Sequence, residues 1–191
     1  MQEQDLIARI RARDPRAFKE LFDANVSLVY NVCFRMLNNR HDAEDVTQDV
    51  FFEAYRSLGR FRFESKLSTW LYRIAVNRSL NQQRRKKLER WSSLDFERDD
   101  ETDAGGSLAA ATDDGPDAAL EKRDTERFVQ QAINSLPDQQ RTALVLSRYE
   151  ELSHVEIAAI MDVTVASVES RLHRAKQALA RKLRPLKREL E

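Results

Sequence analysis

Apolar residues recur at helical spacing through the first ninety residues of the chain. Between residues 18 and 36 they stand three, four and seven positions apart, and no long alternating pattern typical of a strand is present. Asp14 and Pro15 form a typical N-cap and first-turn pair. The pattern predicts a four-helix, all-α domain. Its helices are expected over about residues 4–13, 15–37, 42–58 and 65–88.

A second helical pattern fills the last seventy residues. Ser153 and Glu156 have the spacing of a capping box, which predicts the start of a short helix over residues 155–161. Residues 162–164 then form a tight turn into a longer, polar helix over about 165–186. This order is that of a helix-turn-helix. Two further helices, over about 121–135 and 137–149, are expected before it.

The segment between the two patterns, residues 92–120, is rich in Asp, Gly, Ala and Ser and has no sustained periodicity. Such a segment cannot bury enough apolar surface to fold alone. We therefore predict an all-α protein of two small helical domains, residues 1–91 and 121–191, joined by an acidic flexible linker over 92–120.

Charge is partitioned along the chain, although 32 basic and 32 acidic residues cancel overall. Residues 1–90 carry 18 Lys and Arg against 12 Asp and Glu, and residues 127–191 carry 11 against 8. Residues 91–126 carry 3 against 12. Two basic parts favour polyanion contacts, and the acidic stretch is typical of a solvated connector or an internal mimic of nucleic acid.

Composition excludes several classes of function. The 191 residues include one cysteine, Cys33, which is expected to be a buried thiol, so a disulfide-stapled secreted module is excluded. The four glycines form no phosphate-binding loop, so no nucleotide cofactor is expected. Apolar runs are too short to span a membrane, and the N-terminus does not resemble a signal peptide. We expect a cytoplasmic location without membrane insertion.

The longer helix of the helix-turn-helix has one apolar face and one basic face. Side chains near the start of such a helix enter the major groove of duplex DNA, where arginine pairs with guanine and glutamate with cytosine. An ordinary solvated surface helix is the alternative. The candidate duplex-reading residues are Ser167, Glu169, Ser170, Arg171, His173 and Arg174.

The third predicted helix is acidic within a basic domain. Its carboxylates and an amide would dock a basic protein surface, and the candidates are Asp42, Asp45, Gln48 and Asp49. A metal site formed by His41, Glu44, Asp45 and Asp49 is a weaker alternative, because a run of like charges is usually a solvated face.

The fourth predicted helix and the loop before it combine aromatic, amide and basic side chains. Rings stack on unpaired bases, amides read base edges, and guanidinium groups neutralise phosphate. The pattern therefore predicts a single-strand-binding surface, with a loop able to receive an extruded base. Trp70 is equally compatible with the core and with an exposed wedge. The candidates are Phe61, Phe63, Ser65, Trp70, Arg73, Asn77, Asn81 and Arg84.

Four motifs in this order resemble the extracytoplasmic-function group of bacterial RNA polymerase sigma factors. They are DAEDVTQDVF, FRFESKLSTWLYRIAVN, the Leu136–Pro137 pair and LSHVEIAAIMDVTVASVESRLHRAK. Glu169 and His173 depart from residues common in the family, so the promoter sequence read by this chain is not borrowed from relatives.

The resemblance implies a non-catalytic subunit that directs core RNA polymerase to promoters. It places Asp42, Asp45 and Gln48 against the β′ clamp, and Phe61, Phe63 and Ser65 around a flipped minus-ten base. The helix-turn-helix would read the minus-thirty-five element while its domain holds the β flap. The resemblance also implies an anti-sigma factor as a partner.

Two other classes of function stay open from the residues alone. A stand-alone helix-turn-helix regulator would bind duplex DNA tightly without polymerase and without the acidic helix. A metal-dependent nucleic-acid enzyme would lose activity on chelation.

Overall fold

The computed structural model describes residues 2–12, 14–63, 65–93, 125 and 127–184, and this part of the chain consists of helices, turns and loops without a strand. The all-α prediction is confirmed. The helices are α1 (Gln2–Arg11), α2 (Pro15–Leu37), α3 (Arg40–Ser57), a 3-10 turn (Leu58–Arg60), α4 (Leu67–Ser93), α5 (residues 127–134), α6 (Asp138–Arg148), α7 (His154–Met161) and α8 (Val165–Lys182).

Side-chain caps explain where the N-terminal helices begin. The Asp14 carboxylate accepts a hydrogen bond from the Arg16 amide at 2.9 Å, and Pro15 occupies the first turn of α2, as predicted. Helix α3 begins two residues earlier than expected, because the Asn39 side chain caps it by accepting from the Asp42 amide at 2.9 Å.

Helix α4 differs from the prediction at both ends. It begins at Leu67, two residues later than expected, and continues to Ser93, five residues beyond the expected end. Straight-chain Arg, Lys and Glu favour this extension, and Arg85 pairs with Glu89 one turn later at 3.3 Å. The residues first assigned to the start of the linker, 92 and 93, therefore belong to α4.

Helices α2, α3 and α4 form the N-terminal core, with α1 packed across one end. Leu21, Val50 and Leu71 are completely buried there. Cys33 is also fully buried, as predicted, and burial raises the pKa of its thiol to about 11.

The helix-turn-helix prediction is confirmed by the geometry of residues 153–182. Ser153 and Glu156 form the reciprocal capping box at the start of α7. Asp162 ends α7 in the left-handed conformation (φ 53°), the role that glycine often takes. The Thr164 hydroxyl then caps α8 by accepting from the Ser167 amide at 3.2 Å.

The two helical parts pack against each other. Leu146, Ile157 and Ile160 belong to one apolar cluster with core residues of α2, α3 and α4. A smaller cluster lies between α5, α6 and α8. Burying this shared face holds α7 against α4 and α6 against α2.

The predicted linker over 92–120 lies, from residue 94 on, outside the described residues, as do residues 121–124 at the expected start of α5. Within the described ranges, none of the helices has the length and apolar character needed to cross a membrane.

Candidate polymerase and nucleic-acid interfaces

Helix α3 presents the acidic residues on two different faces. Asp45, Gln48 and Asp49 are exposed, and Asp45 contacts His41 at 3.2 Å on the surface. Asp42 is only 9% exposed; Gln82 donates to its carboxylate at 3.2 Å and Lys86 forms an ion pair with it. Asp42 therefore fixes the start of α3 to α4, and the other three side chains remain available to a partner.

Two aromatic rings extend the exposed face of α3. Phe52 is 62% exposed and Tyr55 is 56% exposed, and the Arg56 guanidinium lies 5.5 Å from the centre of the Phe52 ring. Phe52 follows Asp45 by seven residues, so the two lie on the same side of the helix. This face of α3 therefore combines exposed carboxylates with exposed aromatic rings.

The loop between the 3-10 turn and α4 surrounds an open depression of about 500 Å³. Phe61 is buried, and its ring contacts those of Phe63 at 5.2 Å and Trp70 at 5.3 Å between centres. Phe63 is 40% exposed and lines the depression. Of the two aromatic loop residues, Phe61 therefore packs into the wall of the depression, and Phe63 presents its ring to solvent.

Helix α4 carries the predicted strand-binding residues on one exposed stripe. Arg73, Asn77, Asn81 and Arg84 are exposed, whereas Trp70 is half-buried and packs on the core. Ser65, in the loop before α4, is half-buried. The four exposed residues recur at helical spacing along α4, and the Phe61–Trp70 ring contact connects the start of this helix to the loop.

Arg73 is engaged within the chain. Its guanidinium donates a hydrogen bond to the backbone carbonyl of Ala159, in the last turn of α7. The carbonyls of a last turn lack intrahelical partners and carry the negative end of the helix dipole, so a guanidinium is a favourable cap. A phosphate approaching Arg73 would compete with this carbonyl.

Further polar contacts join α4 and α2 to the C-terminal helices. The Tyr72 hydroxyl donates to the Glu150 carboxylate at 2.7 Å, and Lys66 pairs with Glu156 at 3.2 Å. Burial, followed by the Glu150 contact, raises the pKa of Tyr72, so the phenol stays protonated. The Arg35 guanidinium lies 3.9 Å from the centre of the Tyr149 ring.

Arg141 forms the most buried of these contacts. The residue is 8% exposed, and its guanidinium donates to Gln83 at 2.7 Å, to Asp138 at 3.0 Å and to the Asn134 carbonyl at 3.1 Å. Desolvation lowers the pKa of Arg141, although the Asp138 charge opposes that effect. Gln83 in turn donates to the Met36 carbonyl at 2.6 Å, so the contact extends from α6 through α4 to α2.

Helix α8 leaves most of its predicted reading face open. Glu169, Ser170, His173 and Arg174 are exposed, while Val168 and Leu172 on the other face are buried. Ser167 and Arg171 are half-buried. One terminal nitrogen of Arg171 is buried with no acceptor among the described residues, so this arginine is less available than Arg174 to contact a partner.

Two contacts constrain the exposed face of α8. His154 lies 3.6 Å from the Glu169 carboxylate, which links the start of α7 to α8. The His173 ring lies 2.9 Å from the Gln177 amide one turn further on. Arg174 is therefore the least constrained basic side chain near the start of α8.

The carboxylates of α3 do not converge in the structure. Within the described ranges, no group of three or more His, Cys, Asp and Glu side chains has a geometry suitable for a metal ion.

Sequence reasoning missed Arg11, Phe52 and the contacts between the two parts. A large apolar side chain at an exposed position of an acidic helix is a signal that could have identified Phe52. Arg11 lies fifty residues from the loop it contacts, at 2.6 Å from the Phe61 carbonyl, and no local pattern connects the two.

Family models match both helical parts. Residues 21–89 match Sigma-70 region 2, and residues 129–179 match Sigma-70 region 4. The chain is 35% identical to the ECF RNA polymerase sigma factor SigW of Bacillus subtilis, over 94% of this chain and 96% of the relative. It is 36% identical to the RNA polymerase sigma-H factor of Pseudomonas aeruginosa, over 98% and 97% of the two chains.

Solved structures share the fold. CnrH, in a complex with the cytosolic domain of CnrY, superposes with a TM-score of 0.66 at 23% identity, over 94% of this chain and 96% of CnrH. The sigma factor RpoE of Bartonella quintana, in a complex with the anti-sigma factor NepR, gives a TM-score of 0.67 at 23% identity, over 87% and 96%.

Proposed function

The chain belongs to the extracytoplasmic-function group of RNA polymerase sigma factors, and we propose from this which of its surfaces bind core polymerase and which bind promoter DNA. It is a sigma factor that binds core RNA polymerase and directs promoter-specific transcription initiation. It has no chemistry of its own, requires no cofactor and acts in the cytoplasm. The proposed units are a region-two domain that extends to the end of α4 at Ser93, an acidic linker over 94–120 and a region-four domain over 121–191.

Docking on polymerase is assigned to the exposed side of α3. Asp45, Gln48 and Asp49 contact the β′ clamp, and Phe52 adds an apolar contact at the same face. Asp42 contributes indirectly, because its contacts with Gln82 and Lys86 hold the start of α3 in place. The C-terminal domain holds the β flap.

Promoter DNA is read by two separate surfaces. The exposed start of α8 enters the major groove of the minus-thirty-five element, with Arg174 as its most available guanidinium. The loop and stripe of α4 hold the unpaired minus-ten strand through stacking, amide contacts and phosphate neutralisation. The observation that carries this proposal is the exposed stripe of Arg73, Asn77, Asn81 and Arg84 on α4, together with the exposed Phe63 ring that lines the depression in the preceding loop.

Strand capture requires the release of an internal contact. Arg73 caps the carbonyl of Ala159, so it reaches a phosphate only when α7 moves away from α4. Such a separation exposes the apolar face that the two parts share, so the binding of core polymerase must supply the free energy for it.

An anti-sigma factor is the proposed regulator of this step. Two proteins of the same fold, CnrH and RpoE of Bartonella quintana, were each solved in a complex, RpoE with an anti-sigma factor. A partner that holds α7 against α4 would keep Arg73 from DNA.

Transcription from sheared genomic DNA tests the proposed function. Purified core polymerase is incubated with and without the protein, and the RNA 5′ ends are mapped. New discrete starts that share two upstream elements are expected only with the protein. A stand-alone regulator would bind duplex DNA but give no new starts, and that outcome would contradict the proposal.

A further inference from the structure

Helix α1 reaches the loop that surrounds the depression. The terminal nitrogen Nη2 of Arg11 donates to the Phe61 carbonyl at 2.6 Å. Its guanidinium carbon lies 5.6 Å from the centre of the Phe63 ring. Arg11 also lines the depression, together with Gly59, Arg60 and Arg62. A single side chain from outside the loop therefore contacts both its backbone and its exposed ring.

Arg11 is carried by a firmly held helix. Ile7 is completely buried and Ile10 is 8% exposed, so one face of α1 is fixed in the core. Arg9 pairs with Asp14 and Glu20, each at 3.0 Å, which ties α1 to the start of α2. Because α1 is anchored in this way, the guanidinium of Arg11 is a fixed support for the loop.

Phe63 needs such a support. Its φ of 58° lies in the left-handed region, which a bulky L residue rarely adopts. Strained conformations of this kind persist only where the surroundings hold them, and they cluster at binding sites. Among the described residues, Arg11 lies close to the Phe63 ring, and the Phe61 ring contacts it at 5.2 Å between centres, so both help to hold Phe63 here.

We propose that Arg11 is a positioning residue for base capture, acting through Phe63. It keeps the Phe63 ring facing the depression, and with Arg60 and Arg62 it supplies positive charge for the phosphate of the captured nucleotide. The ligand is one unpaired nucleotide of the promoter strand. This inference rests on the proposed function, in which the loop receives a flipped base.

The size and lining of the depression fit this ligand. It is an open depression of about 500 Å³, so a nucleotide bound there keeps part of its surface in solvent. Its lining combines rings for stacking with guanidinium groups for phosphate, which is the chemistry that holds single-stranded nucleic acid. No carboxylate is among the described residues that line it.

The test uses holoenzyme and a forked promoter taken from a mapped start, with an abasic nucleotide at each minus-ten position in turn. Wild type is expected to lose roughly tenfold in affinity at the captured position, the effect of losing one stacked base. R11A is expected to lose a similar factor on the intact fork and to show no further loss at that abasic position. R11K, which keeps the charge but lacks the planar fork, is expected to be intermediate.

R16A is the matched control, because Arg16 is an exposed arginine of α2 outside the depression. It is expected to behave as wild type on every fork. Core polymerase binding and minus-thirty-five duplex binding are measured for all variants, and both are expected to stay unchanged in R11A. If the melting temperature of R11A is lowered because α1 detaches, the comparison of R11K with wild type decides whether Arg11 has a positioning role.

Each remaining outcome has one meaning. If R11A and R11K discriminate against the abasic nucleotide as strongly as wild type, Arg11 has no positioning role. If R11A weakens polymerase, duplex and fork binding equally, its role is structural and the inference is overturned. If wild type is insensitive to abasic nucleotides at every position, the base capture in the proposed function fails first, and the inference fails with it.

Discussion

The start of α8 and the stripe along α4 are the two exposed surfaces proposed to bind nucleic acid, but they differ in how far other elements constrain them. Arg174 on α8 faces solvent, whereas Arg73 on α4 caps α7 and Phe63 is held by Arg11. A groove-reading helix needs only a rigid scaffold beneath it. A surface that captures an unpaired strand must hold strained groups in place and release others, and the internal contacts of α4 reflect that need.

The apolar cluster that joins the two helical parts is tested by Leu146→Ala. Leu146 of α6 is completely buried in the cluster that joins the two parts. We expect Leu146→Ala to destabilise the chain by about 3 kcal/mol, because it leaves a cavity. Calorimetry should show one unfolding transition moved to lower temperature. Two transitions, with only one of them moved, would show that the parts fold independently and that the shared core contributes little.

The duplex-reading surface is tested by Arg174→Ala. This change should weaken binding to the minus-thirty-five duplex by about 1–3 kcal/mol if the guanidinium contacts a base. Asn77→Ala is the control on the other surface and should leave duplex binding unchanged. Titration of holoenzyme with labelled promoter and scrambled duplexes measures both. Equal losses on the two duplexes would mean that Arg174 contacts phosphate rather than bases.

The contact between the parts is tested by Tyr72→Phe. Removing the hydroxyl that donates to Glu150 should cost about 1 kcal/mol of stability, because a part-buried hydrogen bond is lost. Strand binding should become faster at the same time, since α7 separates more readily from α4. Thermal melting and stopped-flow binding to a forked promoter give the two values. Slower strand binding would show that the contact supports capture rather than restrains it.

The smallest effect is expected at Cys33. Its folded pKa of about 11 lies above the ordinary thiol value, so the group is protonated in the folded chain until the pH approaches 11. The thiolate is the reactive form, so iodoacetamide should not modify the folded protein at pH 8 and should modify it in denaturant. Mass spectrometry measures the fraction modified. Rapid modification of the folded chain would mean that the N-terminal core opens readily.

Local patterns were enough to predict most of the helices. The capping box at Ser153 and the N-cap at Asp14 are signals read within four residues, and both are present in the structure. The start of α3 was wrong by two residues, because Asn39 was not identified as its cap. These features depend on backbone hydrogen bonds between near neighbours.

Contacts between distant residues could not be predicted from the sequence. Asp42 was grouped with the other carboxylates of α3. In the structure, however, Asp42 is nearly buried and forms an ion pair with Lys86, which lies forty-four residues later in the chain. The sequence around Arg11 and around Arg73 does not indicate that these side chains contact Phe61 and Ala159. Such pairings depend on how the helices pack, which periodicity alone does not specify.

Run-off transcription on matched promoters tests most directly the claim that the two surfaces act on different forms of DNA. One template is fully duplex and the other is unpaired through the minus-ten element. The account predicts that Asn77→Ala is impaired more on the duplex than on the unpaired template, because only the duplex needs strand capture for opening, while Arg174→Ala is impaired equally on both. Equal rescue of the two variants, or rescue of Arg174→Ala alone, would contradict it.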